Sequence, residues 1–185
     1  MSKKILIITG DGGEDLEVLY PYERLRESGY TPVVAASNTD RKIQLVCHDF
    51  VDDFDTYTEK PGHTWPADIT FDDVNPDDYD ALIIPGGRAP EYLRLNTTVL
   101  DIVAAFDRAG KPIAATCHGP LILARAGVIK GRECSGFAMI EPDVTDAGAT
   151  YVDGDAVVDG NLVTARAWND NGPWIGAFIA LVDKA

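Results

Sequence analysis

The sequence predicts an α/β fold: an open, mainly parallel sheet with helices on both faces. Three observations predict it. Short, largely apolar runs recur at Lys4 to Thr9, Thr31 to Ala36, Ala81 to Pro85 and Pro112 to Ala115, and they are continuous rather than alternating, as strands covered on both faces must be. Segments of helical period follow the first and third of them, Glu14 to Ser28 and Leu95 to Ala109. Glycines gather at strand ends, in Gly10-Asp-Gly-Gly and Pro85-Gly-Gly, where the chain must turn sharply.

Each element follows in order. The first helix has Leu16, Leu19, Tyr20 and Leu25 near helical spacing; Gly29 stops it, and Pro21 is expected to kink it. After the second strand comes an acidic, aromatic-spotted insertion at about residues 43–68. Within it Ile43 to Phe54 reads as a hairpin, and Tyr57 to Asp68, with Pro61, Gly62 and Pro66, reads as a loop. A connection of this length inside a compact domain usually serves function. The helix from Leu95 carries a clear apolar face of Val99, Ile102, Val103 and Phe106, and strand Pro112 to Ala115 leads into a helix from His118. Glycines at 131, 136, 148, 154 and 160 then punctuate short elements, including strands Ala156 to Val158 and Leu162 to Thr164, before a closing helix from Gly172 to Val182. No repeat or boundary divides residues 1–185, which are expected to form one domain.

Bulk properties narrow the function. The 185 residues are 45% hydrophobic, enough for one core, and carry a formal net charge of −14, which repels nucleic acid and anionic membranes. No apolar run is long enough to span a bilayer, and the N-terminus runs straight into a strand pattern, so a cytoplasmic location is expected. Cys47, Cys117 and Cys134 are an odd, widely spaced set without a Cys-x-x-Cys pair, which fits a reducing compartment and leaves a thiol free to react.

Cys117 is the candidate nucleophile. Ile113-Ala-Ala-Thr-Cys-His-Gly-Pro is a buried strand passing directly into a helix with Cys at the turn, an arrangement that exposes the side chain at the carboxyl end of the sheet. A helix N-terminus beside the sulfur is expected to lower the thiol pKa. Gly86 and Gly87, at the end of the neighbouring strand, can approach the same crevice, and the N–H groups of Gly87 and His118 form a candidate oxyanion hole. Glu14, Asp15 and Glu17 open the first helix at that edge; any of them could hold a proton there, and spacing does not choose among them.

The motifs together resemble the ThiJ/PfpI superfamily. The resemblance runs over nearly the whole chain and rests on Gly-Glu-Asp-Leu-Glu-Val-Leu-Tyr-Pro (Gly13 to Pro21), Tyr-Asp-Ala-Leu-Ile-Ile-Pro-Gly-Gly-Arg-Ala-Pro-Glu-Tyr (Tyr79 to Tyr92), Ala-Thr-Cys-His-Gly-Pro (Ala115 to Pro120) and Asp-Gly-Asn-Leu-Val-Thr (Asp159 to Thr164). It implies a flavodoxin-like three-layer sandwich of the class I glutamine-amidotransferase-like group. It also implies that Cys117 is the elbow nucleophile and that Glu17 is the carboxyl bonded to it. Glu91, by the same resemblance, reaches His118 across a subunit interface, so a homo-oligomer, a dimer or a hexamer, is expected. His48-Asp-Phe and Thr58-Glu-Lys-Pro-Gly-His-Thr-Trp resemble the longer insertion of glyoxalase III-like members, including plant tandem-domain forms.

The resulting expectation is a cofactor-free, glyoxalase III-type or deglycase enzyme acting on small carbonyl compounds. A PfpI-type cysteine peptidase or amidohydrolase, and a redox-sensing or chaperone-like stress protein using the same thiol, are the alternatives. His63 and Trp65 are candidate substrate-lining residues along with Gly86, and Tyr57, like Trp65, is expected to line or cover the site. His48 and His63, with Asp49, Glu59 and Asp68 near them, raise a metal site, but no metal is expected because nothing shows convergence. Cys47-His48 repeats the Cys117-His118 pair without a strand-to-helix turn and is read as a decoy; Cys134 is read as core. Gly10-Asp-Gly-Gly lacks the dinucleotide spacing, so no nucleotide is expected. Trp168 and Trp174 could face either the crevice or an interface.

Overall fold

The structure, a computed structural model, describes residues 2–185. In chain order its strands and helices are β1 (Lys4–Ile8), α1 (Asp15–Glu27), β2 (Thr31–Ala36), β3 (Ile43–Phe50), β4 (Tyr57–Trp65), β5 (Ile69–Thr70), β6 (Ala81–Ile84), α2 (Ala89–Leu93), α3 (Thr97–Arg108), β7 (Ile113–Thr116), α4 (Pro120–Ala126), β8 (Glu133–Cys134), α5 (Glu141–Asp146), β9 (Thr150–Tyr151), β10 (Val157–Asp159), β11 (Leu162–Ala165) and α6 (Asn171–Val182). The main sheet has the order β10-β11-β7-β6-β1-β2-β5 and is parallel except for the edge strand β10.

Both faces of the sheet are covered, which explains the continuous apolar runs. Leu6, Ile8, Leu82, Ile84, Ile113, Ala115 and Leu162 point to one layer, packed by Val99, Ile102, Val103 and Phe106 of α3 and by Leu121 to Leu123 of α4. Their alternates Ile5, Ile7, Ala81, Ile83, Ala114, Val163 and Ala165 point to the other, packed by Val18 and Leu25 of α1 and by Trp174, Ile175, Phe178 and Val182 of α6. The period-two alternation of strand side chains thus separates two cores.

The chain moves outward from β1 to β2 and β5, then returns to build β6, β7 and β11 on the other side. The connections after β1 and β6 therefore part company between adjacent strands, and a crevice opens at their carboxyl ends. Cys117 follows the next strand, β7.

Several boundaries differ from expectation. The segment expected to be a loop, Tyr57 to Asp68, contains β4, and the hairpin expected within Ile43 to Phe54 is instead the long pair β3–β4. The register shifts where Gln44 pairs with Thr64 and Val46 with Pro61, so Pro61 and Gly62 sit at an irregularity in the ladder that absorbs them. The helix expected from His118 starts at Pro120, and α3 starts at Thr97, capped by the Asn96 side chain on Val99 N–H at 3.3 Å. On α1 the inward face is Val18, Pro21 and Leu25, while Leu16 and Tyr20 are exposed. Pro21 lies within the continuous helix and is buried in it.

Candidate active site

The turn after β7 is strained. Cys117 has φ +56°, the left-handed region that costs a non-glycine residue about 1–2 kcal/mol. The surroundings hold it there: its N–H donates to Ala165 on β11 at 3.2 Å, and its carbonyl accepts from Phe137 N–H at 3.0 Å. Gly119 completes the turn by donating to the Thr116 carbonyl at 2.7 Å, and a Cβ on Gly119 would collide with the Ile84 and Thr116 carbonyls. The elbow read from the sequence is thus present, with the thiol on the switch-point edge.

Two glycines bring the neighbouring strand up to the thiol. A Cβ on Gly86 would lie 2.7 Å from Glu17 Oε2 and 2.9 Å from the His118 nitrogen, and would overlap the Cys117 Cβ. Gly86 is consequently a spacer between nucleophile and acid. Gly87, with φ +74°, packs against the Gly12–Glu14 backbone, with which Gly13 forms a bridge to it. The Gly87 and His118 N–H groups both aim at the Cys117 sulfur, where they favour the thiolate.

Glu17 is fully buried and accepts the Gly86 N–H at 2.7 Å through Oε2, while among the described residues Oε1 has no hydrogen-bond partner of ordinary geometry. The carboxyl lies within reach of the Cys117 thiol. Burial first, then the Glu14 charge, raise the Glu17 pKa well above the carboxylate range. Burial, then the Glu17 charge, likewise push the Cys117 thiol up. The expected lowering by a helix terminus is therefore overturned: α4 begins three residues later, and desolvation in a closed crevice outweighs the N–H donors. Both groups cannot ionise together, so the thiolate forms as Glu17 takes or keeps the proton.

His118 is also buried, with Nδ1 3.3 Å from Cys117 Sγ. Burial, and after it the His48 charge, hold its pKa down to about 4, so the ring is neutral and can accept a proton. Its faces meet Tyr57 edge-on at 5.9 Å and Phe137 at 5.4 Å. Glu91 stands exposed on α2 and makes no side-chain hydrogen bond to His118 within the chain.

Of the insertion residues singled out, Tyr57 lies against this site and Trp65 and His63 face elsewhere. Trp65 packs edge-on against Tyr22 of α1 at 5.1 Å, and the His63 side chain is exposed with Nδ1 2.7 Å from Asp15. Tyr57 is the ring that meets His118 at the elbow, and Phe50, half-exposed, lies parallel to both Phe137 and Trp168. The Trp168 backbone N–H also points toward Glu17, whereas Trp174 is core. A cavity of about 640 Å³ lies beside these rings, lined by Phe50, Phe137, Tyr151, Asp153 and Arg166 among others.

Sequence reasoning missed the group that ties the insertion down. Glu14, fully buried at the cap of α1, accepts both the backbone N–H (2.9 Å) and Nδ1 (3.0 Å) of buried His48. His48 Nε2 lies 3.0 Å from Glu59, which is gripped by the Arg88 guanidinium at 2.5 and 2.8 Å. Burial opposes the His48 imidazolium, but the two carboxylates together outweigh it and raise its pKa. The Arg88 guanidinium in turn lowers the Glu59 pKa. The signal was present in β3, where Val46, His48 and Phe50 share one face once the register irregularity is allowed for. Among the described residues no cluster of three or more His, Cys, Asp or Glu could hold a metal. Cys47 is half-buried on β3 away from any elbow, and burial raises its pKa; the buried Cys134 thiol is pushed up to about 11.

Fold and site together define a flavodoxin-like α/β protein with a cysteine at a strained strand-to-helix elbow. The chain belongs to the DJ-1/PfpI family, whose model matches residues 3–181. It is 42% identical over 98% of its length to the protein DJ-1 homolog D of Arabidopsis thaliana, of which it spans about half (48%). It is 41% identical to a deglycase of Thermococcus kodakarensis, covering 97% of this chain and 99% of that protein. A putative cysteine protease of Bacillus subtilis is 34% identical over 92% of each. Among solved structures, the chain superposes with a TM-score of 0.85 on a two-domain Anabaena variabilis protein containing DJ-1/ThiJ/PfpI-like and ferritin-like domains. That match is 31% identical and covers 98% of this chain and 48% of the other. Drosophila melanogaster DJ-1beta superposes at 0.79 with 25% identity, over 98% of this chain and 91% of that one. Among the described residues no helix is long and apolar enough to cross a membrane.

Proposed function

We propose that the protein is a cofactor-independent enzyme of glyoxalase III or deglycase type, acting on methylglyoxal, glyoxal or their early adducts through Cys117. The observation that carries this reading is the buried Glu17 carboxyl, with one unpartnered oxygen, beside a strained thiol and a neutral histidine. A thiol adding to an aldehyde must lose a proton and the product must gain one, and the nearness of Glu17 to the thiol supports its carrying both. Sulfur attack forms the S–C bond and turns the carbonyl into an oxyanion, steadied by the Gly87 and His118 N–H groups and then protonated to a hemithioacetal. His118 removes the proton from that carbon, and Glu17 returns one to the adjacent carbonyl carbon by way of an enediol. The resulting thioester is hydrolysed to lactate or glycolate, and the thiol is restored. The deglycase names of several relatives support the same thiol acting on early adducts.

Purified protein given methylglyoxal, without glutathione or metal, is expected to release lactate, and Cys117→Ala to release none. Lactate formed equally by the Cys117→Ala variant overturns the proposal. One observation favours a second reading: the 3.3 Å Sγ–Nδ1 pair suits acyl transfer, in line with the putative cysteine protease relative. Peptide cleavage with no carbonyl turnover would establish it. In either reading Glu91 is proposed to reach His118 from a second copy of the chain, since within one chain it faces outward.

A further inference from the structure

We propose that His48 is a positioning residue for the chemistry at Cys117: held between Glu14 and Glu59, its imidazolium screens the buried Glu14 carboxylate from the Cys117–Glu17 pair and fixes the insertion over the elbow. The inference rests on Cys117 being the reactive thiol and is independent of the substrate.

Geometry carries it. Glu14 and Glu17 lie three residues apart on the same turn of α1, and both are fully buried. A buried carboxylate is tolerated only when paired, and among the described residues the cationic partner of Glu14 is His48, which meets the same oxygen with both its backbone N–H and its ring. The other ring nitrogen faces Glu59, so each nitrogen confronts a carboxylate and both donate. Arg88 then pairs with Glu59 immediately after Gly86-Gly87. Charges thus alternate Glu14, His48, Glu59, Arg88 through the α1 cap, β3, β4 and the loop after β6.

The groups facing His48 are Glu14 from the α1 cap, Glu59 and Tyr57 from β4, Arg88 behind Glu59, and His118 across Tyr57, whose ring centre is 4.4 Å from that of His48. The Glu14 charge bears on Glu17 and Cys117, and the His48 charge bears on His118. Removing His48 alone therefore leaves the Glu14 charge unscreened beside the nucleophile; removing His48 and Glu14 together takes away that charge and its screen.

The test is the rate of Cys117 alkylation by iodoacetamide, followed by mass spectrometry at about pH 6, below the ordinary histidine pKa and so below the raised His48 value, with thermal melts to confirm folding. His48→Gln is expected to react roughly tenfold more slowly than the parent. Glu14→Gln should react faster, and Glu14→Gln/His48→Gln should return close to the parent, because opposite charges leave together. An unchanged rate in His48→Gln, or a double variant no nearer the parent than His48→Gln, overturns the inference and leaves His48 as hairpin support alone. If His48→Gln does not fold, the double variant is compared with Glu14→Gln; equal rates overturn the inference, and a slower double variant supports it. A parent protein in which another thiol reacts first overturns the reading of Cys117 itself, and this inference with it.

Discussion

Cys117, the proposed nucleophile, is held at a backbone cost. Alanine and glycine both remove the sulfur, but only glycine occupies φ +56° without strain, so Cys117→Gly is expected to be about 1 kcal/mol more stable than Cys117→Ala. Chemical denaturation of the two inactive variants measures the difference. Gly86→Ala tests the spacing between nucleophile and acid, because the added methyl would press on Cys117 and Glu17; a loss of about 1–3 kcal/mol with little remaining activity is expected. His118 makes stability depend on pH. Its folded pKa of about 4 lies below its ordinary 6.5, so its contribution is present above pH 6.5 and is lost as pH falls toward 4. The span corresponds to roughly 3 kcal/mol, and His118→Asn should flatten the stability profile over that interval.

At the scale of elements, the β3–β4 hairpin is joined to the β1–α1 connection by backbone as well as side chains. Gly12 N–H donates to Gln44 at 2.8 Å, and Val46 N–H donates to Gly13 at 2.9 Å. The far end carries exposed Phe50, Val51 and Phe54. Hydrogen exchange should therefore protect the Val46 and His48 amides well above those of Val51 to Asp55, and equal rates would show that the hairpin opens as a unit. The main strands and α3 were legible because burial on two faces and a 3.6-residue period each leave a strong pattern. β4 was not legible: Pro61 and Gly62 argue locally for a loop, and only pairing with β3 offers a place to absorb them. On α1 the polar residues turned inward, since Glu14 and Glu17 serve the site rather than the apolar stripe.

At the scale of the whole molecule, the proposed reach of the exposed Glu91 to His118 of a second copy would make the complete site a property of an assembly. In a twofold dimer, mixing Cys117→Ala with Glu91→Gln chains should regenerate one working site per mixed pair, about a quarter of parental activity after random exchange. Each variant alone should stay inactive. Sedimentation of the parent gives the size of the assembly, and no recovery on mixing would place the action of Glu91 within a single chain.

The sequence by itself determined the layered α/β architecture, the elbow at Cys117 and the glycine approach at Gly86 and Gly87, because these follow from local chain geometry and from the period of burial. The sequence narrowed the acid only to a cluster, and a family resemblance was needed to single out Glu17. The tertiary structure alone decided what each group experiences. Closure of the crevice pushes the Cys117 thiol up where a helix terminus was expected to lower it, because desolvation depends on what packs around the sulfur. It also drew His48 between Glu14 and Glu59, residues 34 and 11 positions away, and charge pairing over such separations leaves no periodic trace in the chain.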